Sequence, residues 1–491
     1  MIGFKKFFIT TPIYYVNDVP HIGHAYTTIA ADILARWHRV LGEEVFFLTG
    51  LDENSTKTVN AAKKNNMENI QEYTDQMAKV WRKIWSDLNI SFDDFIRTTE
   101  ERHKKLVLEF FKKVFDKGDI YKGSYEGLYC DDCEQFFTEK DLENGLCPFH
   151  KKTPRKITEE NYFFRLSKYQ EFLIDYIEKN YDFIKPESRR NEVLSFVKEG
   201  LQDVSISRPN LEWGIELPID TSHRFWVWFD ALLNYISADT SKWPAEVQLM
   251  AKDILRFHCV IWPAMLKSAG YELPKTIFVH GFFTIEGQKI SKSLGNVINP
   301  VKLSEKYGID ALRYYLFREV PFGHDGDFSE KSLEDRYNSE LADSLGNLVN
   351  RILVLVEKNF GGIVPEPAGK DKLAELALET PKKVNSSIEN FQFHNALNDI
   401  WYLIAEANKY INENKVWEIK DKRKLGGILY NLLETLRFVS ILIYPFMPET
   451  AEKIIEQLGL DKKFSFEDLE WGKLKKGIKI RRGEVLFKKI K

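Results

Sequence analysis

Cysteine is scarce in this chain: 491 residues carry four, too few for a disulfide scaffold in a protein of this length. No run of 18 uninterrupted apolar residues occurs, and the nearest candidate, Phe438 to Phe446, is too short to span a bilayer. The first residues, Met1 to Val16, combine lysines with a short apolar run, but Asn17 and Asp18 follow and no small-x-small cleavage site does. A signal peptide is therefore not expected, and a soluble cytoplasmic protein is. An excess of one charge is also missing, since 70 basic residues face 73 acidic ones for a net charge of −3. Overall charge thus argues neither for nor against nucleic acid, and any RNA surface must be a local patch. Neither a glycine-rich P-loop nor a G-x-G-x-x-G fingerprint stands where a strand meets a helix, so the ordinary nucleotide-binding motifs do not compete. Internal repeats and low-complexity tracts are absent.

What is present is ample core material, 44% hydrophobic residues over a length that predicts several domains. The N-terminal piece reads strand, loop, helix. Phe7 to Thr11 is β-branched and aromatic, Pro12 and Pro20 punctuate, and apolar residues then recur helically from Ile29 through Trp37 to Leu41 before Gly42. His21-Ile22-Gly23-His24 enters that helix at its N-terminus. There, unpaired backbone N–H groups and the positive end of the dipole favour an anion such as a triphosphate, and imidazoles add hydrogen bonds to phosphate oxygens. Gly23 allows a nucleotide to approach the backbone. Far downstream, after a second strand-like run from Thr276 to Ile285, comes Lys289-Ile290-Ser291-Lys292-Ser293. Its ammonium groups can follow charge as it grows on a leaving pyrophosphate, Lys292 foremost.

This pair of motifs resembles the signature of the class I aminoacyl-tRNA synthetases, with Ile290 in place of the usual Met, an apolar swap of similar volume. Narrower stretches resemble the methionyl-tRNA synthetase family across essentially the whole chain. They are Pro12 to Asn17, Thr49 to Glu53, Trp226 to Ala231, Phe257 to Leu266 and His280-Gly281-Phe282, in order and at fitting separations. The resemblance implies an ATP site of His21, Gly23, His24, Asp253, His280, Gly281 and Lys292, with His21, His24, Lys289 and Lys292 catalytic. It implies a methionine site of Ile13, Tyr15, Asp52, Trp228, Ala231, Tyr235, Phe257 and His258. Aromatic walls suit a polarizable thioether, and one carboxylate, Asp52, suits the α-ammonium. The bland reading of the aromatics is core packing, and of Asp52 a helix N-cap. Methionine, ATP with Mg²⁺, and tRNA(Met), initiator and elongator, are the implied partners.

Three of the four cysteines lie close together. Cys130-x2-Cys133, thirteen residues, then Cys147-x2-His150 supplies four soft or borderline ligands from two tight turns, the pattern of a closed tetrahedral Zn²⁺ site with no position open to water. One structural zinc is expected, while Cys259 sits in an apolar aromatic run and is expected to be packed. The expected fold is α/β: a Rossmann-like parallel-sheet catalytic domain in two halves, 1–115 and 221–325, with a connective insertion at 116–220 carrying the zinc knuckle at about 121–160. The insertion is too short for the large editing domain of the leucine, isoleucine and valine relatives. From 326 to 470 the pattern is a helix bundle, broken at Gly361-Gly362 and near Pro445. It resembles the family's anticodon-binding domain, where Asn347 and Arg351, one helical turn apart, and Trp417 at a helix end read unstacked bases. The basic tail 471–491 interleaves lysines and arginines with Leu474, Ile478, Ile480 and Phe487 and is expected to fold back. With no oligonucleotide-fold appendage at the C-terminus a monomer is expected, with room for a separately encoded tRNA-binding subunit. A small nucleotidyltransferase would not need the bundle, and a zinc RNA-binding protein would not need both ATP motifs.

Overall fold

The computed structural model describes residues 5–131, 135–137, 139–148, 151–209, 211–285, 287–289, 297–367 and 369–490. Lys292, Cys133 and His150 lie outside the described residues, and of Lys289 only the backbone is described. The chain forms two compact units, one of Phe7–Pro20 and Phe46–His280, the other of the residues before Phe7, His21–Val45 and Gly281–Lys491.

The first unit is built on a six-stranded sheet of β1 (Lys6–Tyr15), β2 (Glu44–Asp52), β3 (Asp94–Arg97), β4 (Ile184–Lys185), β5 (Val247–Ala251) and β6 (Thr276–His280). Their order across the sheet is β3-β2-β1-β5-β6-β4. The β2/β3, β1/β5, β5/β6 and β6/β4 pairs are parallel, with Ile9 opposite Val247 and Ala251 opposite His280. β1 is buried almost throughout, as its near-continuous apolar run requires of a strand covered on both faces. It continues through Pro12 to Tyr15, past the break that Pro12 suggests, and so carries Ile13 and Tyr15 to the carboxyl end of the sheet. Between β3 and β5 an antiparallel sheet forms from Gln135–Phe137, Ile120–Cys130, Arg155–Phe164 and Val204–Ser205, in that order.

In the second unit, α1 (Ile22–Val40) is buried along nearly its whole length. Beyond Gly281 come a small sheet of Phe283–Ile285, Gln288–Lys289 and Gly326–Asp327 and then helices. Among these helices are α2 (Asn347–Phe360), α3 (Lys372–Glu389), α4 (Phe393–Glu413), α5 (Lys422–Ile443) and α6 (Pro448–Gln457). By length and composition α5 could cross a membrane, but its most apolar 18-residue window is entirely buried, which makes it the core helix of the bundle. The tail runs back along this unit: Ile478 O accepts from Val364 N at 2.9 Å, Ile480 N donates to Gly362 O at 2.9 Å, and Leu474, Ile480 and Phe487 are buried. Its interleaved apolar residues thus cover helix surface while the lysines keep their heads in water.

Candidate active site

His21 is the N-cap of α1. Its Nδ1 accepts the Gly23 N–H at 3.0 Å, while His24 Nδ1 accepts the His21 N–H at 3.2 Å, a reciprocal capping box made of imidazoles. The rings stack with centroids 3.8 Å apart. Burial, and secondarily the adjacent His21, push the His24 pKa well below that of a free imidazole. A neutral ring that accepts at Nδ1 carries its hydrogen on Nε2, so the box presents Nε2–H donors at the positive end of a helix dipole. Gly23 has a local reason to be glycine beyond ligand approach: a Cβ there would stand 2.9 Å from His21 Cε1, inside the cap itself.

The first turn of α1 is bonded to the chain five residues beyond the second motif. Ile22 N donates to Ile298 O at 3.1 Å, tying the first turn of α1 to the segment that follows Lys292. On the other side of that loop, Lys289 pairs with Thr284 in an antiparallel hairpin, and Asp327 Oδ1 holds the hairpin through Thr284 Oγ1 at 2.6 Å and Gly287 N at 3.0 Å. At Gly281 the chain passes close to the turn at His324, since a Cβ there would be 2.4 Å from the His324 carbonyl.

In the first unit the chain moves from β1 to β2 and β3 on one side while β5 and β6 lie on the other, so the strand order reverses between β1 and β5. Ligands of open parallel sheets bind outside the carboxyl ends of the strands at such a switch point. The expected residues collect at those ends: Ile13 and Tyr15 on β1, Asp52 as the last residue of β2, Asp253 just beyond β5 and His280 closing β6. Asp253 is exposed, His280 buried. Asp52 is 4% exposed, and the N-cap reading fails for it because Ser55 caps the next helix, its Oγ accepting the Thr58 N–H at 3.2 Å.

The aromatic wall forms from short helices. Trp228 and the buried Ala231 lie on Val227–Ala231, Tyr235 on Asn234–Ser237, and Phe257 and His258 on a π-helical turn, Phe257–Ile261. Such turns recur at functional sites because they re-aim side chains within a helix. Trp228 and Phe257 stack with centroids 3.8 Å apart and 6° between planes. His258 Nδ1–H donates to Ile254 O at 3.0 Å, which leaves Nε2 to accept the Tyr235 hydroxyl at 2.7 Å. Burial drives the His258 pKa down to about 4 and pushes that of Tyr235 up, so both stay neutral at pH 7. The Trp228 indole N–H is buried with no hydrogen-bond partner among the described residues.

Two features escape motif reading. Lys57 Nζ sits 3.9 Å above the Tyr15 ring, with no sequence signal to announce it. Asp230 is paired with buried His103 at 2.6 Å, and here the acid inside the apolar run Trp226 to Leu233 was a clue, since a buried carboxylate needs partners.

Elsewhere in the first unit, Cys130 and Cys147 are both buried and share a small core with Phe137. Cys259 is also buried, and its apolar surroundings push the thiol pKa up. In the second unit, Asn347 and Arg351 occupy the first turns of α2, immediately after a π-helical stretch, Tyr337–Gly346. Arg351 Nη2 donates to Asn412 Oδ1 on α4 at 2.7 Å, and Trp417, just past the end of α4, is 60% exposed.

Comparison with known proteins identifies the family. The family profile "tRNA synthetases class I (M)" matches residues 7–155 and 138–353, and "Anticodon-binding domain of tRNA ligase" matches 373–488. The methionine–tRNA ligase of Caldanaerobacter subterraneus subsp. tengcongensis is 48% identical over 99% of this chain and 79% of its own length. That of Thermotoga maritima is 46% identical over 99% and 80%. Among solved structures, Mycobacterium tuberculosis methionyl-tRNA synthetase in complex with methionyl-adenylate superposes with a TM-score of 0.95 at 39% identity, covering 98% of this chain and 99% of that one. The free-state structure of the same enzyme gives 0.87 at 37% identity, covering 100% and 99%. With similarity of this depth along its whole length, the chain belongs to the methionine–tRNA ligases, a family of class I tRNA synthetases.

Proposed function

We propose that the family's reaction, activation of methionine by ATP and transfer of the methionyl group to tRNA(Met), is divided among the residues of this chain as follows. The methionine side chain lies among Ile13, Tyr15, Trp228, Ala231, Tyr235, Phe257 and His258, with its ammonium on Asp52. Neutral His258, locked by Ile254 and Tyr235, keeps the wall polarizable without adding a charge that a thioether could not satisfy. We assign the phosphates to the Nε2–H donors of His21 and His24 at the imidazole cap of α1, and Gly23, Asp253, His280 and Gly281 to nucleotide binding. Magnesium enters as the counter-ion of ATP. The methionine carboxylate, already ionised, attacks the α-phosphorus; the new P–O bond forms as the bond to the β-phosphate oxygen breaks, and no protein base is needed. Lys289 and Lys292 take up the charge of the departing pyrophosphate. The terminal adenosine hydroxyl of tRNA then displaces AMP from the adenylate, while Asn347, Arg351 and Trp417 read the anticodon.

The observation that best supports this reading is the Ile22 to Ile298 hydrogen bond, which ties the first turn of α1, with its imidazole cap, to the chain five residues beyond Ser293. The test is exchange of labelled pyrophosphate into ATP with methionine, cysteine, leucine, isoleucine and valine supplied separately. Methionine alone should support it, and exchange with another amino acid would overturn the pocket assignment.

The donor set at the tip of the insertion fits zinc: two buried thiols, Cys130 and Cys147, already share one small core, and Cys133 and His150 complete a soft tetrahedral set by spacing. All four ligands would come from the protein, so the metal would hold the strand ends of the connective domain, 116–220, rather than take part in chemistry. About one equivalent of zinc is expected in purified protein, and less than half an equivalent in fully active enzyme would argue against the site. We place the protein in the cytoplasm, with its substrates.

A further inference from the structure

Three groups assigned to methionine stand two residues before three members of one buried polar cluster: Asp52 before Asn54, Trp228 before Asp230, and Tyr235 before Ser237. His103, on the helix Glu101–Asp116, is the centre of that cluster. Its Nε2–H donates to Asp230 Oδ1 at 2.6 Å, and its Nδ1 lies 2.8 Å from Ser237 Oγ. The other carboxylate oxygen, Asp230 Oδ2, accepts from Asn54 Nδ2 at 2.7 Å, and the same amide reaches Thr98 O at 3.2 Å. His103 is fully buried, Asp230 1% exposed, and Asn54 and Ser237 7% each.

A buried ionisable pair is a poor device for stability, because desolvation offsets most of its attraction; what it supplies is a fixed geometry. This one joins the turn after β2, two residues beyond the pocket acid, to the helices Val227–Ala231 and Asn234–Ser237, which carry two of the pocket walls. We propose that His103 is a positioning residue of the methionine site, holding Asp52, Trp228 and Tyr235 in register through Asn54, Asp230 and Ser237. The proposal rests on the assignment of those three residues to methionine. It touches no substrate atom, so its effect is on the fit of the amino acid rather than on the chemistry of the phosphate.

The experiment is pyrophosphate exchange by the full-length protein carrying His103→Ala, His103→Gln or Asn54→Ala, with Trp228→Ala run beside them. Misplacing a binding group by about 1 Å can cost on the order of a hundredfold. His103→Ala is therefore expected to raise the KM for methionine about tenfold or more with the KM for ATP within about twofold, and Asn54→Ala to act in the same direction. His103→Gln, whose amide can still donate to Asp230, should recover part of the loss. A role in folding alone would lower thermal stability and leave the methionine KM unchanged, and that result overturns the proposal. Should His103→Ala fail to fold, Asn54→Ala decides, since an unchanged methionine KM there sinks the idea equally. If Trp228→Ala raises the methionine KM while the cluster variants do not, the pocket stands and only the positioning role falls. If Trp228→Ala has no effect, the pocket assignment fails and takes the proposal with it.

Discussion

Lys292→Ala is expected to lower the single-turnover rate of methionyl-adenylate formation by about 10²–10³ or more, with little change in the affinity for methionine. In the proposed step the carboxylate nucleophile needs no activation, and the α-phosphoryl transition state differs from the ground state chiefly in charge moving onto the leaving pyrophosphate. A cation that meets that charge only as it develops stabilises the transition state and not the bound substrate, so its removal appears in the rate constant. The framework around the loop supports this role. Asp327 holds the strand Phe283–Ile285 and the turn after it through Thr284 and Gly287, and Ile298 is bonded to the first turn of α1, so the described chain on either side of Lys292 is anchored. Lys292→Arg should retain part of the rate, because the charge survives while its reach and shape change. Adenylate formation at the wild-type rate in the alanine variant would remove Lys292 from the mechanism.

The parts of this site legible in the sequence are those whose chemistry is local. The histidine pair at the start of α1 announces its role within a few residues of chain, whereas the role of Asp52 came from the family resemblance and Lys292 falls outside the described residues. The helix ends in the bundle were legible for the same reason: α2 stops at Phe360, before the Gly361-Gly362 break, and α5 at Ile443, just before Pro445. What could not be read is what depends on tertiary approach. Asn54, His103 and Asp230 are separated by long stretches of chain, and no periodicity links them. Lys57 looks like an ordinary surface lysine until the ring of Tyr15 is beneath it. Gly23 reads as a place for a ligand to approach, yet the first thing its missing Cβ makes room for is the His21 ring. The grouping of α1 with the chain beyond Gly281 likewise comes from contacts between segments hundreds of residues apart.

Asp52→Asn is expected to reduce kcat/KM for methionine by about 10²–10³, mostly through KM. The substitution keeps the volume at the end of β2 and removes only the charge, so it tests the ion pair and not the packing. Asp52 is almost wholly buried, and Ser55 performs the capping that would otherwise account for an acid at this position. Removing one partner of a buried, hydrogen-bonded charge pair costs about 2–5 kcal/mol, much of it the cost of leaving the other charge unpaired in a poorly hydrated site. That argument predicts a reciprocal result. The desamino analogue 4-(methylthio)butanoate lacks the ammonium and should bind the wild-type protein far more weakly than methionine does, because it cannot form the ion pair with Asp52. With asparagine at position 52 there is no carboxylate for the ammonium to pair with, so methionine loses its advantage and the preference for methionine over the analogue should shrink by most of the same factor. Competition by the analogue in pyrophosphate exchange measures both preferences. A variant that keeps the wild-type discrimination between the two ligands would show that the ammonium is held elsewhere, and the assignment of Asp52 would have to be abandoned.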